Sequence, residues 1–189
     1  AYWPQSTYYG ARRGGKLFSV LLTYYGLEPM IFTGFGDVDG MAAIFADLLL
    51  PEEMYFVMPP EMEPILAEWY DGLDEHMERE WRMVVHPHQF NAPEPIQETV
   101  CRLEPEHADA LTILYALAAN RGEVIISFTP WQIAHGVFYG VWDGETLVAA
   151  AGTHVWSPGE HIAAVGNVFT HPKYRGRGLA TACTGGGGG

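Results

Sequence analysis

The residues of this sequence that are best suited to chemistry lie in one short segment. A predicted strand ends at Thr170 and is followed by Arg175, Gly176, Arg177 and Gly178, where a helix is expected to begin. A helix N-terminus presents unpaired N–H groups and a partial positive charge, so it attracts anions. Gly178 has no side chain to block the backbone, and the two arginines offer charged donors. The segment therefore predicts a cradle for a phosphate-bearing ligand.

The spacing of these glycines excludes two common classes of nucleotide-binding protein. Neither the dinucleotide fingerprint G-x-G-x-x-G nor the P-loop form G-x-x-x-x-G-K-[ST] occurs here. A Rossmann enzyme and a P-loop NTPase are therefore not expected. The charge pattern taken alone leaves a second interpretation open, in which the basic residues belong to a solvated surface turn.

The elements that position this segment form an α/β unit over 97–184. Its predicted strands contain β-branched residues and are bounded by turn residues, and its first predicted helix has apolar residues at helical spacing. An Asp143-Gly144 pair between two apolar runs predicts a hairpin turn. The predicted elements are a strand at 99–103, helices at 107–119 and 130–135, strands at 137–142 and 147–154, and a strand at 162–170.

An irregular lead-in (1–15) and a second α/β unit (16–92) are predicted ahead of this one. The expected elements of the second unit are strands at 17–25 and 30–33, a helix at 41–50, a strand at 54–57, a helix from Pro59 or Pro60 toward Tyr70, and a strand at 81–85. The proline-rich segment 91–95 is the predicted boundary. Glycines at 185–189 would end the last helix, and we expect them to be non-native polyglycine from a linker or tag.

Charge and composition exclude several further classes of protein. The chain carries 10 basic and 23 acidic residues, a net charge of −13, so general binding to nucleic acid is not expected. No apolar run reaches the about 18 residues of a membrane span, and no signal-peptide pattern opens the chain. Two cysteines cannot build a disulfide scaffold. A cytoplasmic location without a membrane partner is therefore expected.

The cradle segment resembles the acetyl-CoA-binding signature of the GNAT N-acetyltransferase superfamily. That signature is Arg or Gln, two residues, Gly, one residue, and Gly or Ala, which here runs from Arg175 through Gly178 to Ala180. The usual His-Pro-x-Tyr lead-in is His171 to Tyr174, and the order of elements in 97–184 is also that of the family. The resemblance implies an α/β (α+β) fold with a mixed, mostly antiparallel sheet flanked by helices. It also implies that the domain is incomplete after the helix at 179.

The activity implied by this resemblance is transfer of an acetyl group from acetyl-CoA to a primary amine on a small molecule or peptide, without a metal. An acyl-CoA-binding or regulatory or structural module without catalysis is the alternative. The acceptor is not identified, and a homo-oligomer is one expected form. The resemblance places pantetheine on the main chain of Val168, Phe169 and Thr170. It places the pyrophosphate on Arg175, Gly176, Arg177, Gly178, Leu179 and Ala180.

No catalytic residue is assigned from the sequence. The family often has a Glu on the strand before the cradle, whereas this chain has Gly166, Asn167 and Val168 there. Asn167 could orient a water and His154 could relay a proton, and each is also explained as a strand residue with local hydrogen bonds. His171, which precedes a proline, is expected to be structural.

Residues 33–40 repeat the outline of strand, glycine loop and helix. They resemble a degenerate GNAT half of the kind found in tandem members of the superfamily. Asp37 and Asp39 would repel a pyrophosphate, so we expect a structural or substrate-shaping unit; the calcium-loop spacing is incomplete. The pair His86 and His88 indicates a surface turn more than a metal site. Cys101 is expected to be a buried, inert thiol.

Overall fold

The computed structural model describes residues 5–73, 77, 83–121 and 128–186. The chain divides into two compact units, Ala1–Met83 and Val84–Gly189. The proline-rich segment 91–95 thus lies inside the second unit, where the neighbouring Ile96 packs against a buried cluster. No helix in these described ranges is long and apolar enough to cross a membrane.

The first unit is built on a four-stranded sheet in the order β1–β2–β3–β4. The first three strands pair antiparallel, and β4 pairs parallel to β3. A helix, α1, makes the crossover from β3 to β4, and a one-turn helix, α2, follows a 3₁₀ turn (Pro60–Met62). The bounds are β1 Ser6–Arg13, β2 Lys16–Tyr24, β3 Ile31–Gly36, α1 Val38–Ala46, β4 Tyr55–Val57 and α2 Glu63–Leu66.

The core of the first unit lies between this sheet and α1. Leu21 from β2 and Phe32 from β3 are buried, and α1 covers them with Met41 and Phe45. The ring of Phe45 meets Phe56 of β4 edge-on, with centroids 5.4 Å apart. This burial stabilises α1, which is too short to be stable alone.

Several expectations for the first unit are wrong in detail. The lead-in 1–15 contains β1, which forms because β2 offers it an antiparallel partner along its length. The predicted loop at 34–36 continues β3, since these residues still pair with β2. The helix expected as far as Tyr70 shortens to α2 and a turn. The predicted strand at 81–85 begins outside the described residues, and its residues 83–85 form an exposed, irregular segment.

Asp37 fixes the point at which α1 begins, three residues earlier than the sequence predicts. Its backbone is extended, and its carboxylate accepts the N–H groups of Asp39 (3.0 Å) and Gly40 (3.4 Å). A carboxylate in this position satisfies donors that the helix leaves unpaired, and it also suits the positive end of the helix dipole.

The second unit has a fully antiparallel sheet in the order β5–β6–β7–β8. Helices α3 and α4 lie between β5 and β6, and α5 follows β8. These elements occupy the positions that the sequence predicts, to within a few residues. The bounds are β5 Val100–Leu103, α3 Ala108–Ala119, α4 Pro130–His135, β6 Phe138–Asp143, β7 Thr146–Ser157, β8 Ile162–Thr170 and α5 Leu179–Thr184.

Two buried clusters form the core of the second unit. In one, Leu111, Leu114 and Tyr115 of α3 pack with Phe138 and Phe169 of the sheet. In the other, α5 packs on the alanine-rich centre of β7, where Ala149 and Ala151 are almost completely buried. Small side chains on the strand let the helix lie close to the backbone, which brings the start of α5 next to the end of β8.

We predict that Asp37→Ala lowers the free energy of unfolding by about 0.5–2 kcal/mol, because two N–H groups of α1 lose their acceptor. Asp37→Asn keeps a capping oxygen and should stay within a few tenths of a kcal/mol of the wild type. Urea unfolding followed by circular dichroism measures both. Equal stability of the two variants would contradict the capping role.

Candidate functional site

A cleft of about 730 Å³ opens where β8 ends and α5 begins. It is formed by the last residues of β8, the turn after them and the first turn of α5, and we call it the β8–α5 cleft. Of the residues predicted to bind CoA, all except Arg177 line it, and Tyr174 and Thr181 join them. The lining residues are Val168, Phe169, Thr170, Tyr174, Arg175, Gly176, Gly178, Leu179, Ala180 and Thr181.

The turn of this cleft requires glycine because of its backbone conformation. Gly176 and Gly178 both have left-handed φ angles, of 76° and 77°. A β-carbon at Gly176 would meet nothing within 4 Å, and one at Gly178 would only touch Ile96 at 3.6 Å. The space beside both glycines is therefore open, and a ligand can approach their backbone directly.

The N-terminus of α5 has no side-chain cap. Gly178 occupies the N-cap position and offers no oxygen to the N–H groups of the first turn. Those donors have no partner within the helix. They belong to Leu179 and Ala180, which line the β8–α5 cleft, so the cleft has a donor-rich wall suited to an anion.

The two arginines of the turn have different surroundings. The Arg175 side chain folds back along the cleft, where its Nε donates to the Thr170 carbonyl (3.1 Å) and its guanidinium lies 5.5 Å from the Phe169 ring centroid. Arg177 instead forms an ion pair with Glu98 and does not line the cleft. Arg175 is therefore the better placed of the two to meet a ligand in the cleft.

A bulge interrupts β8 immediately before the cleft. Ala150 pairs with Phe169 and Gly152 pairs with Gly166, so that Asn167 and Val168 together face a single residue of β7. Asn167 takes a left-handed φ of 51°, which asparagine tolerates better than most residues. The bulge re-aims the strand where Val168 enters the cleft wall.

Tyr115 holds this bulge in place. Its buried hydroxyl donates to the Asn167 carbonyl across 2.6 Å, which links α3 to β8. Burial, with a smaller contribution from Cys183, raises the pKa of Tyr115 above its ordinary value, so the hydroxyl stays a donor. Tyr115 is one of the buried residues at helical spacing in α3. A tyrosine on a buried helix face is a signal, because its hydroxyl needs a partner there.

Two buried polar atoms beside the cleft have no partner among the residues that the structure describes. Asn167 is 8% exposed, and its Nδ2 makes no hydrogen bond; the Oγ1 of Thr170, which lines the cleft, also makes none. Leaving a buried polar group unsatisfied costs about 1–3 kcal/mol, so such groups call for a ligand or water. The sequence places both residues on β8, but their lack of partners emerges only from the packing.

Tyr174 anchors the turn to the β6–β7 hairpin. Its hydroxyl donates to the Asp143 carboxylate, and this hydrogen bond raises the pKa of Tyr174. Its ring meets the edge of His171, with centroids 5.4 Å apart. His171 Nδ1 accepts the N–H of Lys173 (3.2 Å), so this histidine serves the turn, as its sequence context suggests.

His154, the other candidate proton relay, lies at a second irregularity, on β7. Thr153 pairs with Val165 and Val155 with Ala164, which leaves His154 as an extra residue. Its side chain crosses Gly166, where an added β-carbon would lie 2.7 Å from the His154 Cβ. Neither His154 nor Asn167 is part of the cleft wall, although Asn167 adjoins it through Val168.

The glycine loop of the first unit differs from the turn of the β8–α5 cleft in both the cap of its helix and the space beside its glycines. Asp37 fills the N-terminus of α1 with its carboxylate, whereas α5 is left open. A β-carbon at Gly36 would lie 2.2 Å from the Phe18 carbonyl, and one at Gly40 would lie 2.4 Å from the Ser19 hydroxyl. These glycines make room for the unit's own backbone and side chains, so the loop leaves no space for a diphosphate.

The histidine pair and the cysteines that the sequence singled out make only local contacts among the described residues. His86 and His88 stack on each other in an exposed turn, with centroids 5.8 Å apart. Half-buried Cys101 contacts the Gly140 carbonyl through its sulfur. Burial raises the pKa of Cys183 to about 12, which makes that thiol a poor nucleophile. No group of three metal-ligating side chains is found within the part of the chain that the structure describes.

Comparison with known proteins decides the family. The acetyltransferase (GNAT) family matches residues 60–184, most of the chain. The chain belongs to the GNAT family. Its fold is confirmed as mixed α/β with antiparallel strands flanked by helices, and the family indicates acyl transfer as the general activity. No curated protein matches the sequence.

Solved GNAT structures are similar in fold. A GCN5-related N-acetyltransferase from Kribbella flavida shares 16% identity with a TM-score of 0.61, over 97% of this chain and 74% of that one. A GCN5-related N-acetyltransferase-like protein from Streptococcus suis 89/1591 shares 12% identity with a TM-score of 0.54, over 96% and 72% respectively. At these identities the likeness concerns the fold alone.

We predict that Tyr115→Phe destabilises this GNAT protein by about 1–3 kcal/mol, since the Asn167 carbonyl loses its buried donor. Tyr174→Phe removes a hydroxyl whose bond is exposed, so its loss of stability should be smaller. Urea unfolding of the two variants makes the comparison. A Tyr115→Phe protein as stable as Tyr174→Phe would show that the bulge does not depend on this bond.

Proposed function

We propose that this protein transfers an acetyl group from acetyl-CoA to a primary amine. The observation that carries the proposal is the β8–α5 cleft, in which an uncapped helix start, two left-handed glycines and Arg175 meet the free edge of β8 in a chain of the GNAT family. The identity of the acyl donor, the amine acceptor and the site residues are all part of this proposal.

The residues present fit a CoA thioester in three respects. The diphosphate fits the open turn, where Gly176 and Gly178 leave the backbone accessible and Arg175 adds charge. The pantetheine amides fit the edge of β8, which has a strand partner only on its β7 side among the described residues. The apolar faces of Val168 and Leu179 suit the methylene groups of that arm. The side chain of Arg177, held by Glu98, contributes to the turn more than to the ligand.

Acetyl-CoA supplies an activated acetyl group as a thioester. The neutral amine attacks the thioester carbon, the C–S bond breaks, and the thiol leaves with one proton while the amine nitrogen loses one. We assign the stabilisation of the negative charge that develops on the acetyl oxygen to a backbone N–H of β8 beside the bulge, where the pairing register with β7 shifts.

Asn167 is the side chain we propose to orient a water at the amine. Its Nδ2 is a buried donor without a partner in the described part of the chain, and it lies one residue from the cleft wall. A water held by this amide keeps a lone pair free to accept the proton that the amine releases. His154 belongs to the same strand pair and is the second candidate relay.

We also propose that the first unit is a degenerate GNAT-like half without its own CoA site. The carboxylate of Asp37 at the start of α1 and the filled space at Gly36 and Gly40 support this proposal. Both cysteines are free, which fits a reducing cytoplasm.

The first test of the site is Gly178→Glu, which we predict abolishes acetyl-CoA binding while the fold persists. A carboxylate at this position repels the diphosphate and fills the open turn. Gly15→Glu is the matched control, because Gly15 has a similar φ of 79° and equally open surroundings in the β1–β2 turn. Calorimetry with acetyl-CoA and circular dichroism measure binding and fold. An unchanged affinity of Gly178→Glu for acetyl-CoA would show that the diphosphate binds elsewhere.

The second test separates binding from catalysis at Asn167. Asn167→Gly keeps a residue that tolerates the left-handed backbone but removes the amide, so kcat should fall at least about tenfold while KM for acetyl-CoA changes little. Thiol release across a panel of amines measures both constants. A tenfold rise in KM for acetyl-CoA with an unchanged kcat would instead assign Asn167 to binding. Thiol release no faster than the enzyme-free blank, with intact acetyl-CoA binding, would favour a non-catalytic acyl-CoA-binding module.

A further inference from the structure

The segment that precedes β5 lies along the turn of the β8–α5 cleft and along α5. We call residues 93–98 the brace segment. At its start, Pro93 packs against the end of α5, since a β-carbon added to Gly185 would lie 2.4 Å from the Pro93 ring. In its middle, Ile96 lies 3.6 Å from the position of a β-carbon on Gly178, and it packs on the buried cluster that includes α5. The brace segment therefore contacts both ends of α5.

Glu98 ends the brace segment with a charged contact to the same turn. Its carboxylate forms an ion pair with Arg177, which lies between the two left-handed glycines of the turn. The Glu98 side chain is only 21% exposed, whereas that of Arg177 is 48% exposed. A carboxylate that has lost most of its contact with water needs a cationic partner to offset that loss. This pair is therefore better fixed than one between two fully exposed side chains.

The same turn has a second tether, and the two tethers meet at Arg177. The Arg177 guanidinium lies 5.6 Å from the Tyr174 ring centroid, and the Tyr174 hydroxyl donates to Asp143 in the β6–β7 hairpin. Tyr174 thus holds the turn before Gly176, and Glu98 holds it after Gly176 through Arg177. The turn is tied at two points, one on each side of Gly176 along the chain.

The turn needs such tethers because its glycines supply no side-chain contacts of their own. Gly176 and Gly178 adopt left-handed φ angles, and a β-carbon at Gly176 would meet nothing within 4 Å. Glycine loses more backbone freedom on ordering than any other residue. A ligand that had to order the turn on binding would lose affinity by that cost, whereas a turn held in advance avoids it. Arg177 is the residue between these glycines through which the turn is held.

The ion pair also accounts for the position of Arg177 outside the cleft wall. With its charge paired to Glu98, Arg177 adds little to the field that a diphosphate meets. The attraction is left to the N–H groups at the start of α5 and to Arg175, which line the cleft. Arg177 therefore acts on a ligand through the backbone of the turn.

We propose that Glu98 is a positioning residue of the β8–α5 cleft. By holding Arg177, it keeps Gly176 and Gly178 in their open geometry before a ligand arrives, so that a diphosphate meets donors that are already in place. This inference rests on the proposed function, because acetyl-CoA is the ligand in one of its two tests. The other test uses the free protein, so the two proposals can fail separately.

The first test measures the affinity for acetyl-CoA by calorimetry in about 0.15 M salt, where the field of a distant charge is largely screened. Glu98→Gln keeps the size of the side chain and removes its charge, so it should weaken binding about threefold by loosening the turn. Arg177→Gln should weaken binding at least as much. The double variant should bind no more weakly than Arg177→Gln, since both changes remove one interaction. In turnover, the loss should appear in KM for acetyl-CoA, with kcat unchanged.

Glu104→Gln is the matched control. Glu104 lies at the opposite end of β5 and pairs with Arg102 across 3.5 Å, and neither residue lines the cleft. This variant should bind acetyl-CoA within about 1.5-fold of the wild type.

The sign of the Glu98→Gln effect decides between two roles of Arg177. If Arg177 were a direct ligand of the diphosphate, Glu98 would compete for it, and removing the carboxylate would tighten binding. Tighter or unchanged binding in Glu98→Gln, or a double variant weaker than Arg177→Gln, would overturn the proposal.

The second test needs no acetyl-CoA. Nitrogen-15 relaxation in the free protein measures the backbone order parameters of Gly176 to Ala180, which are about 0.85 in rigid backbone and below about 0.6 in flexible backbone. Glu98→Gln should lower them toward about 0.6 and leave those of β6 unchanged, whereas Glu104→Gln should change neither. Unchanged order parameters at the turn would contradict the role of Glu98. A turn that loosens as expected, in a protein that does not bind acetyl-CoA, would support this role and refute the proposed acyl donor.

Discussion

The hydrogen bond from the buried Tyr115 hydroxyl to the Asn167 carbonyl is the interaction on which the candidate site depends. It satisfies the backbone at the residue where β8 bulges, and it ties that residue to α3 in the core. Because Asn167 is fixed in a left-handed conformation, the strand beyond it is re-aimed toward the start of α5. The position of the cleft wall is therefore set by a core contact on the strand that forms it.

The two strand–turn–helix segments of the chain share the same order of elements but differ in the groups that occupy the N-terminus of the helix. At α1, the carboxylate of Asp37 occupies the helix N-terminus, and the adjoining glycines are pressed against Phe18 and Ser19. At α5, a glycine without a side chain holds the same position, and the turn is open. An anion meets a satisfied, negatively charged site in the first case and unpaired donors in the second.

The fold of the second unit could be predicted closely from the sequence, and that of the first only in part. Strong turns such as Asp143-Gly144 and apolar runs of clear length define β6, β7 and β8 by local signals. By contrast, β1 has no clear periodicity of its own and exists because β2 pairs with it, while 83–85 is apolar but has no strand partner within the described ranges. Local pattern fails where the partner decides the structure.

The sequence by itself determined the turn that ends in α5, because left-handed glycines and an uncapped helix start follow from residue type at Gly176 and Gly178. It also determined the family, through that turn and the order of the elements around it. Only the tertiary structure decided that Arg177 is bound to Glu98 and that Asn167 and Thr170 hold polar atoms without a partner among the described residues. Those features depend on which side chains meet across the sheet, and residues distant along the chain meet only once the strands are in register.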